Sequence, residues 1–171
     1  MSALPQGGET LSAEVCRRID REVAKFPPQQ KRSAVVAALA IAQEELGWLP
    51  GATIEAVARY LGMPPIAAYE VATFYSMFDL HPVGRFKLTL CTNLPCALGG
   101  ATRAAARLKD KLGIGFGQTG SDGLFTLKEG ECFGACGDAP VMLVNNKRMC
   151  SLLTDERLDQ LLEELRREGS K

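Results

Sequence analysis

The chain has one histidine, His81, among its 171 residues. A Rieske-type centre needs two His on one iron, so that centre is excluded. A zinc site built from two Cys and two His is excluded for the same reason. His81 precedes Pro82 in a turn-rich stretch and reads as an ordinary turn residue. No C-x-x-C pair occurs, which removes the usual mark of a free-standing thioredoxin-type thiol enzyme. No uninterrupted apolar run approaches the length that spans a bilayer, and direct membrane insertion is not expected. The start, MSALPQGGETLS, lacks a basic n-region followed by an apolar h-region. No secretory signal is expected there, and the chain is expected to stay in the cytoplasm. Lys+Arg and Asp+Glu balance at 20 each, so no broad basic field awaits nucleic acid or anionic lipid. A P-loop, a Ser-His-Asp set and paired carboxylates in a cleft pattern are all lacking. The chain carries no recognisable turnover chemistry of its own.

What it does carry is cysteine in pairs. Cys91 and Cys96 are spaced C-x4-C, and Cys132 and Cys136 are spaced C-x3-C. Each pair sits among small residues, Gly and Pro, in CTNLPCALGG and CFGACGDAP. Disulfides are disfavoured inside the cell, so such pairs there read as metal ligands or redox groups. Four thiolates from two loops meet the needs of one tetrahedral metal ion or one [2Fe–2S] cluster. Small neighbours such as Thr92, Ala97, Gly134, Ala135 and Gly137 let backbone N–H groups approach the sulfurs, and Pro95 stiffens the first loop. A zinc ion on four thiolates is the competitor. Its knuckles usually have shorter spacings, and they staple domains that lack a core. The surrounding pattern here predicts two helices and four strands, so a cluster is preferred. Cys16 and Cys150 stand alone and read as small packing residues.

Along the chain, the first ten residues are polar and Gly-rich and read as mobile. Leu11, Val15, Ile19 and Val23 form an i, i+4 ladder, the mark of an amphipathic helix. Pro27-Pro28 stops it. Ser33 to Leu46 predicts a largely buried helix closed by Gly47, and Ala52 to Leu61 a third, closed by Gly62. Pro64-Pro65 opens a fourth, running to about Phe78. Residues 11–80 therefore read as a helical bundle. The turn-rich His81-Pro82-Val83-Gly84 marks a boundary, and residues 84–168 read as a second domain. There FKLTL (Phe86 to Leu90) predicts a strand that runs into Cys91, and Ala101 to Leu112 a helix. A loop from Gly113 to Gly123 follows. Leu124 to Lys128 predicts a strand that leads into Cys132. Val141–Val144 and Arg148–Leu152 form a hairpin about Asn145-Asn146, and Thr154 caps a last helix. The fold class is α+β: a small helical bundle, then a β-α-β-β-β-α domain. A helical crossover makes its first two strands parallel. Both cysteine pairs then follow the C-terminal ends of those strands, where ligands collect in open sheets.

Two further stretches read blandly. Gly115 to Gly120 matches G-x-G-x-x-G, but a dinucleotide fingerprint follows a strand and opens a helix. Here a helix precedes it, so the stretch reads as a crossover loop. Arg103, Arg107, Lys109 and Lys111 read as a solvated helix face, with a docking surface as the alternative.

ATFYSMF, CTNLPC and ECFGACGDAPVMLVN resemble the thioredoxin-like [2Fe–2S] component of respiratory complex I, the 24 kDa or E-subunit family of NADH–quinone oxidoreductases. The resemblance covers nearly the whole chain. It implies a thioredoxin-like domain in which Cys91, Cys96, Cys132 and Cys136 ligate one [2Fe–2S] cluster. It implies electron transfer beside a companion subunit that binds FMN and NADH, with further partners in the peripheral arm at the inner membrane. The same module occurs in NAD-linked hydrogenases and formate dehydrogenases, which remain the alternative. A zinc-stabilised interaction module with no redox role is the remoter one.

Overall fold

The computed structural model describes residues 10–170. The expectation of a mobile start falls almost wholly on residues 1–9, outside the described residues. The chain divides into two compact units that part between Pro82 and Val83.

The first unit is helical. Helix α1 (Ala13–Val23) is capped by Ser12, whose hydroxyl accepts from Val15 N–H at 3.2 Å. A 3-10 turn (Pro28–Ala34) leads into α2 (Val35–Leu46), then α3 (Gly51–Leu61) and α4 (Pro65–Phe74). Gly47 and Gly62 close α2 and α3 in the left-handed conformation that glycine adopts without a Cβ penalty. Val15 and Ile19 of α1 pack with Ala38, Leu39, Ile54, Val57 and Leu61 in one core. Each such large side chain contributes about 1.5–3 kcal/mol on burial.

Helix α4 stops four residues short of the predicted Phe78. Tyr75 is extended, and the Thr73 hydroxyl bonds back to the carbonyls of Tyr69 and Glu70. The segment beyond is held by Gln43 of α2. Its amide donates to Met77 O at 3.0 Å and accepts from Asp79 N–H at 2.7 Å. Those two bonds fix the backbone that follows α4 against α2.

The second unit has two long helices and a five-stranded sheet, whose strands run from edge to edge as Gln118–Thr119 (β2), Phe125–Gly130 (β3), Phe86–Cys91 (β1), Met142–Val144 (β4) and Arg148–Cys150 (β5). Strand β1 (Phe86–Cys91) and β3 (Phe125–Gly130) are parallel, with Cys91 opposite Gly130. Strands β4 (Met142–Val144) and β5 (Arg148–Cys150) form the predicted hairpin, antiparallel on the other side of β1. Asn145 and Asn146 take positive φ at its turn. Asn145 also accepts from Lys87 N–H at 2.7 Å, which pins the turn to β1.

One strand was not predicted. Gln118–Thr119 forms β2, antiparallel to β3, inside the stretch read as a loop. Two residues are too few to show alternation, and both are exposed. The Thr119 and Thr126 hydroxyls meet at 2.7 Å across this pair.

Helices α6 (Thr102–Leu112) and α7 (Asp155–Gly169) supply Ala104, Leu108, Leu158, Leu162 and Leu165 to a core with Leu88, Leu90, Leu127 and Met142. The basic run on α6 is a solvated face, with Arg103, Lys109 and Lys111 exposed, and it also pairs with α7. Arg107 bonds Asp159 through both guanidinium and carboxylate, Lys111 Nζ lies 3.3 Å from Asp159, and Arg103 Nε lies 3.3 Å from Asp155. One basic stripe at helical spacing meets one acidic stripe on α7. The Arg107 guanidinium holds the Asp159 carboxyl below the usual range. Among the described residues no helix is long and apolar enough to cross a membrane.

Candidate metal centre

Each cysteine pair begins where a strand of the parallel pair ends. Cys91 is the last residue of β1, and Cys132 comes two residues after β3. The ladder closes with Thr92 N–H donating to Gly130 O at 3.1 Å. Adjacent strands thus deliver both loops to one sheet edge, although the loops lie some forty residues apart in sequence.

The first loop was expected to be irregular up to Ala101. It is helical instead. Asn93 caps a short helix, α5 (Leu94–Cys96), by accepting from Leu94 N–H at 2.9 Å, with Pro95 in the first turn. Proline there loses no hydrogen bond. A π-type turn (Ala97–Ala101) continues it to α6, with Gly100 at φ 104. Gly99 packs so closely on Ala139 that a Cβ at 99 would stand 2.8 Å from the Ala139 Cβ. Asn followed by Leu-Pro was a legible helix start.

The four thiols differ in exposure. Cys91 and Cys96 are buried with Ala101 and Val141, while Cys132 and Cys136 are exposed. Cys132 Sγ and Cys136 Sγ lie 3.5 Å apart, and Gly134 N–H approaches Cys132 Sγ at 3.4 Å. Gly134 takes φ 76, a conformation that suits glycine. Burial, then the Cys91 thiol, raises the pKa of Cys96, and Cys136 adds to that rise. The Cys132 thiol, then burial, raises the pKa of Cys136, and Cys91 adds to it. Each pair therefore senses the other.

Among the described residues no group of three or more His, Cys, Asp and Glu is gathered as ligands of one ion; the thiols stand as two pairs. A soft, four-sulfur donor set with backbone N–H at hand fits the requirements of a [2Fe–2S] cluster. Cys16 and Cys150 lie elsewhere. Cys150 is half-buried against the sheet core. Cys16 is less enclosed than expected. It lines a shallow groove of about 320 Å³ with Leu11, Arg59 and Tyr60, because position 16 falls off the Val15–Ile19 stripe. The Gly115–Gly120 stretch follows α6 and contains β2, which is not the setting of a dinucleotide fingerprint.

Residues 19–166 match the model of the family described as thioredoxin-like [2Fe–2S] ferredoxin. The chain belongs to that family. The resemblance drawn from ATFYSMF, CTNLPC and ECFGACGDAPVMLVN is thus upheld. Among relatives of this chain, the NADH-quinone oxidoreductase E subunit of Rickettsia felis is 46% identical over 143 residues, covering 83% of this chain and 85% of its own. An NADH-quinone oxidoreductase E subunit of Rhizobium meliloti, the one designated E 2, is 46% identical over 148 residues, covering 86% of each. An NAD+-reducing [NiFe]-hydrogenase, solved in the air-oxidized state, matches with a TM-score of 0.67 at 23% identity over 78% of this chain. This chain spans 23% of that hydrogenase chain, and the likeness is one of fold. It fits the α+β class with a thioredoxin-like sheet.

Proposed function

We propose that Cys91, Cys96, Cys132 and Cys136 hold one [2Fe–2S] cluster, and that this chain is the electron-transferring E subunit of an NADH–quinone oxidoreductase. The observation that carries the reading is the arrival of two thiol pairs at one edge of a parallel strand pair. The E-subunit relatives support the choice of complex. The cluster would supply a site that takes and gives one electron. The protein's share is to hold and shield it. Buried Cys91 and Cys96 keep water from one side, and exposed Cys132 and Cys136 leave the other open to a docked donor or acceptor. Gly134 N–H faces a sulfur and would stabilise added negative charge.

In this reading FMN and NADH belong to a partner subunit. The chain works at the cytoplasmic side, peripheral to the inner membrane through the complex. Residues 84–168 form the cluster domain, and residues 11–80 form a domain that offers surface for assembly with the flavin-binding partner and its neighbours. The hydrogenase fold neighbour fits a second reading, the equivalent component of an NAD-linked hydrogenase, and a formate dehydrogenase component is the other form of that alternative.

The test uses the full chain, alone and joined to the flavin-bearing partner of the same complex. Alone it should bleach with dithionite and stay oxidised with NADH. Joined, it should be reduced by NADH within the turnover time of the complex. Rapid reduction of the lone chain by NADH would contradict this division of labour.

A further inference from the structure

Backbone pairing joins the two cysteine loops only as far as Thr92 and Gly130. Just beyond, side chains take over. The Thr92 hydroxyl donates to Glu129 Oε1 at 2.7 Å, and Asn93 Nδ2 donates to Glu131 Oε2 at 3.2 Å. These partners stand 37 and 38 residues apart in sequence. Their positions are telling. Thr92 and Asn93 follow Cys91 directly, and Glu131 immediately precedes Cys132. Asn93 acts twice, since its Oδ1 caps α5, the helix that carries Cys96. A shift of Asn93 relative to Glu131 would therefore move one loop, with both its thiols, against the other.

We propose that Thr92–Glu129 and Asn93–Glu131 are positioning pairs that set the spacing of the two cysteine loops. Asn93 lies between Cys91 and Cys96 in sequence, and Glu131 directly precedes Cys132. The proposal rests on the reading that the four cysteines hold one cluster. Groups that hydrogen-bond metal ligands from outside are worth about 10- to 100-fold in metal affinity, and these pairs act one step further from the sulfurs, so the low end is expected.

The test separates Asn93's two tasks. Asn93→Asp keeps an oxygen to cap α5 but removes the amide donor and sets two carboxylates face to face. Asn93→Asp with Glu131→Gln restores the bond with donor and acceptor exchanged. Glu131→Gln alone keeps an acceptor for Asn93. The readouts, in the full chain, are the rate of bleaching by an iron chelator and the line shape of the reduced cluster's paramagnetic signal. Asn93→Asp should bleach about tenfold faster with a broadened signal, and the exchanged pair should return to within about threefold of the parent. Glu131→Gln should stay close to the parent. A merely structural loss at Asn93 would not be repaired by a second change at 131. An Asn93→Asp protein as durable as the parent, or an exchanged pair as labile as Asn93→Asp, would overturn the proposal. A parent chain free of iron and sulfide would be recognised before any variant is compared. It would remove the cluster reading and this proposal together.

Discussion

Replacing any one of Cys91, Cys96, Cys132 or Cys136 by Ala is expected to strip the chain of iron, while Cys16→Ala and Cys150→Ala keep it. The reasoning starts from charge. A [2Fe–2S] cluster is held by four thiolates, and each removed thiolate leaves an iron open to water and chelators. The buried pair carries an added cost. Cys91 and Cys96 are each 1% exposed, so the alanine variants also leave a cavity among Ala101 and Val141. Cys132 and Cys136 are exposed, so their replacement costs the fold little and isolates ligation from packing. Iron analysis with visible absorbance reads the result. Iron retained in Cys136→Ala but lost in Cys150→Ala would reverse the assignment.

Gly130→Ala should damage the site without touching a thiol. Gly130 ends β3 opposite Cys91, two residues before Cys132. A Cβ there would stand 2.5 Å from Phe133 Cζ and 2.7 Å from Thr89 Cγ2. The Phe133 ring can swing aside. Thr89 cannot, because it is a short β-branched side chain in the middle strand. Overpacking of this kind costs about 1–3 kcal/mol. For a unit of this size that lowers the midpoint of thermal unfolding by about 4–8 °C per kcal/mol. The Thr89 hydroxyl has no hydrogen-bond partner among the described residues, so Thr89→Ala sacrifices no bond and removes the clashing methyl. The double variant Thr89→Ala/Gly130→Ala should therefore recover most of the lost stability and iron. An unchanged Gly130→Ala protein, or a double variant no better than the single, would show that the close approach has no such role.

Much of this architecture was readable because its signals are local. Alternation in FKLTL and LFTLK marked β1 and β3, and the helix between them made the strands parallel. The cysteine spacings then followed those strands, so one sheet edge was the expected meeting place. The Asn145-Asn146 turn and the Thr154 cap were legible for the same reason: each depends on a few adjacent residues. What escaped depends on distant partners. The segment after helix α4 is held by Gln43, some thirty residues earlier, through Met77 and Asp79. The bonds from Thr92 and Asn93 to Glu129 and Glu131 cross a similar distance, and E-G-E has no mark of its own. The solvated basic run on α6 showed no sign of its ion pairs, because the acidic partners Asp155 and Asp159 lie on another helix. Helix α5 is different. Asn93-Leu94-Pro95 carried its own start signal, and the density of small residues around it favoured a loop reading instead.

The central claim is that these four cysteines hold a two-iron cluster. Its most direct test is the iron, acid-labile sulfide and zinc content of the anaerobically purified full chain, with a paramagnetic resonance spectrum after reduction. The account predicts about two irons and two sulfides per chain, and a signal from one mixed-valence pair. About one zinc per chain, with neither iron nor sulfide and no colour, would contradict it.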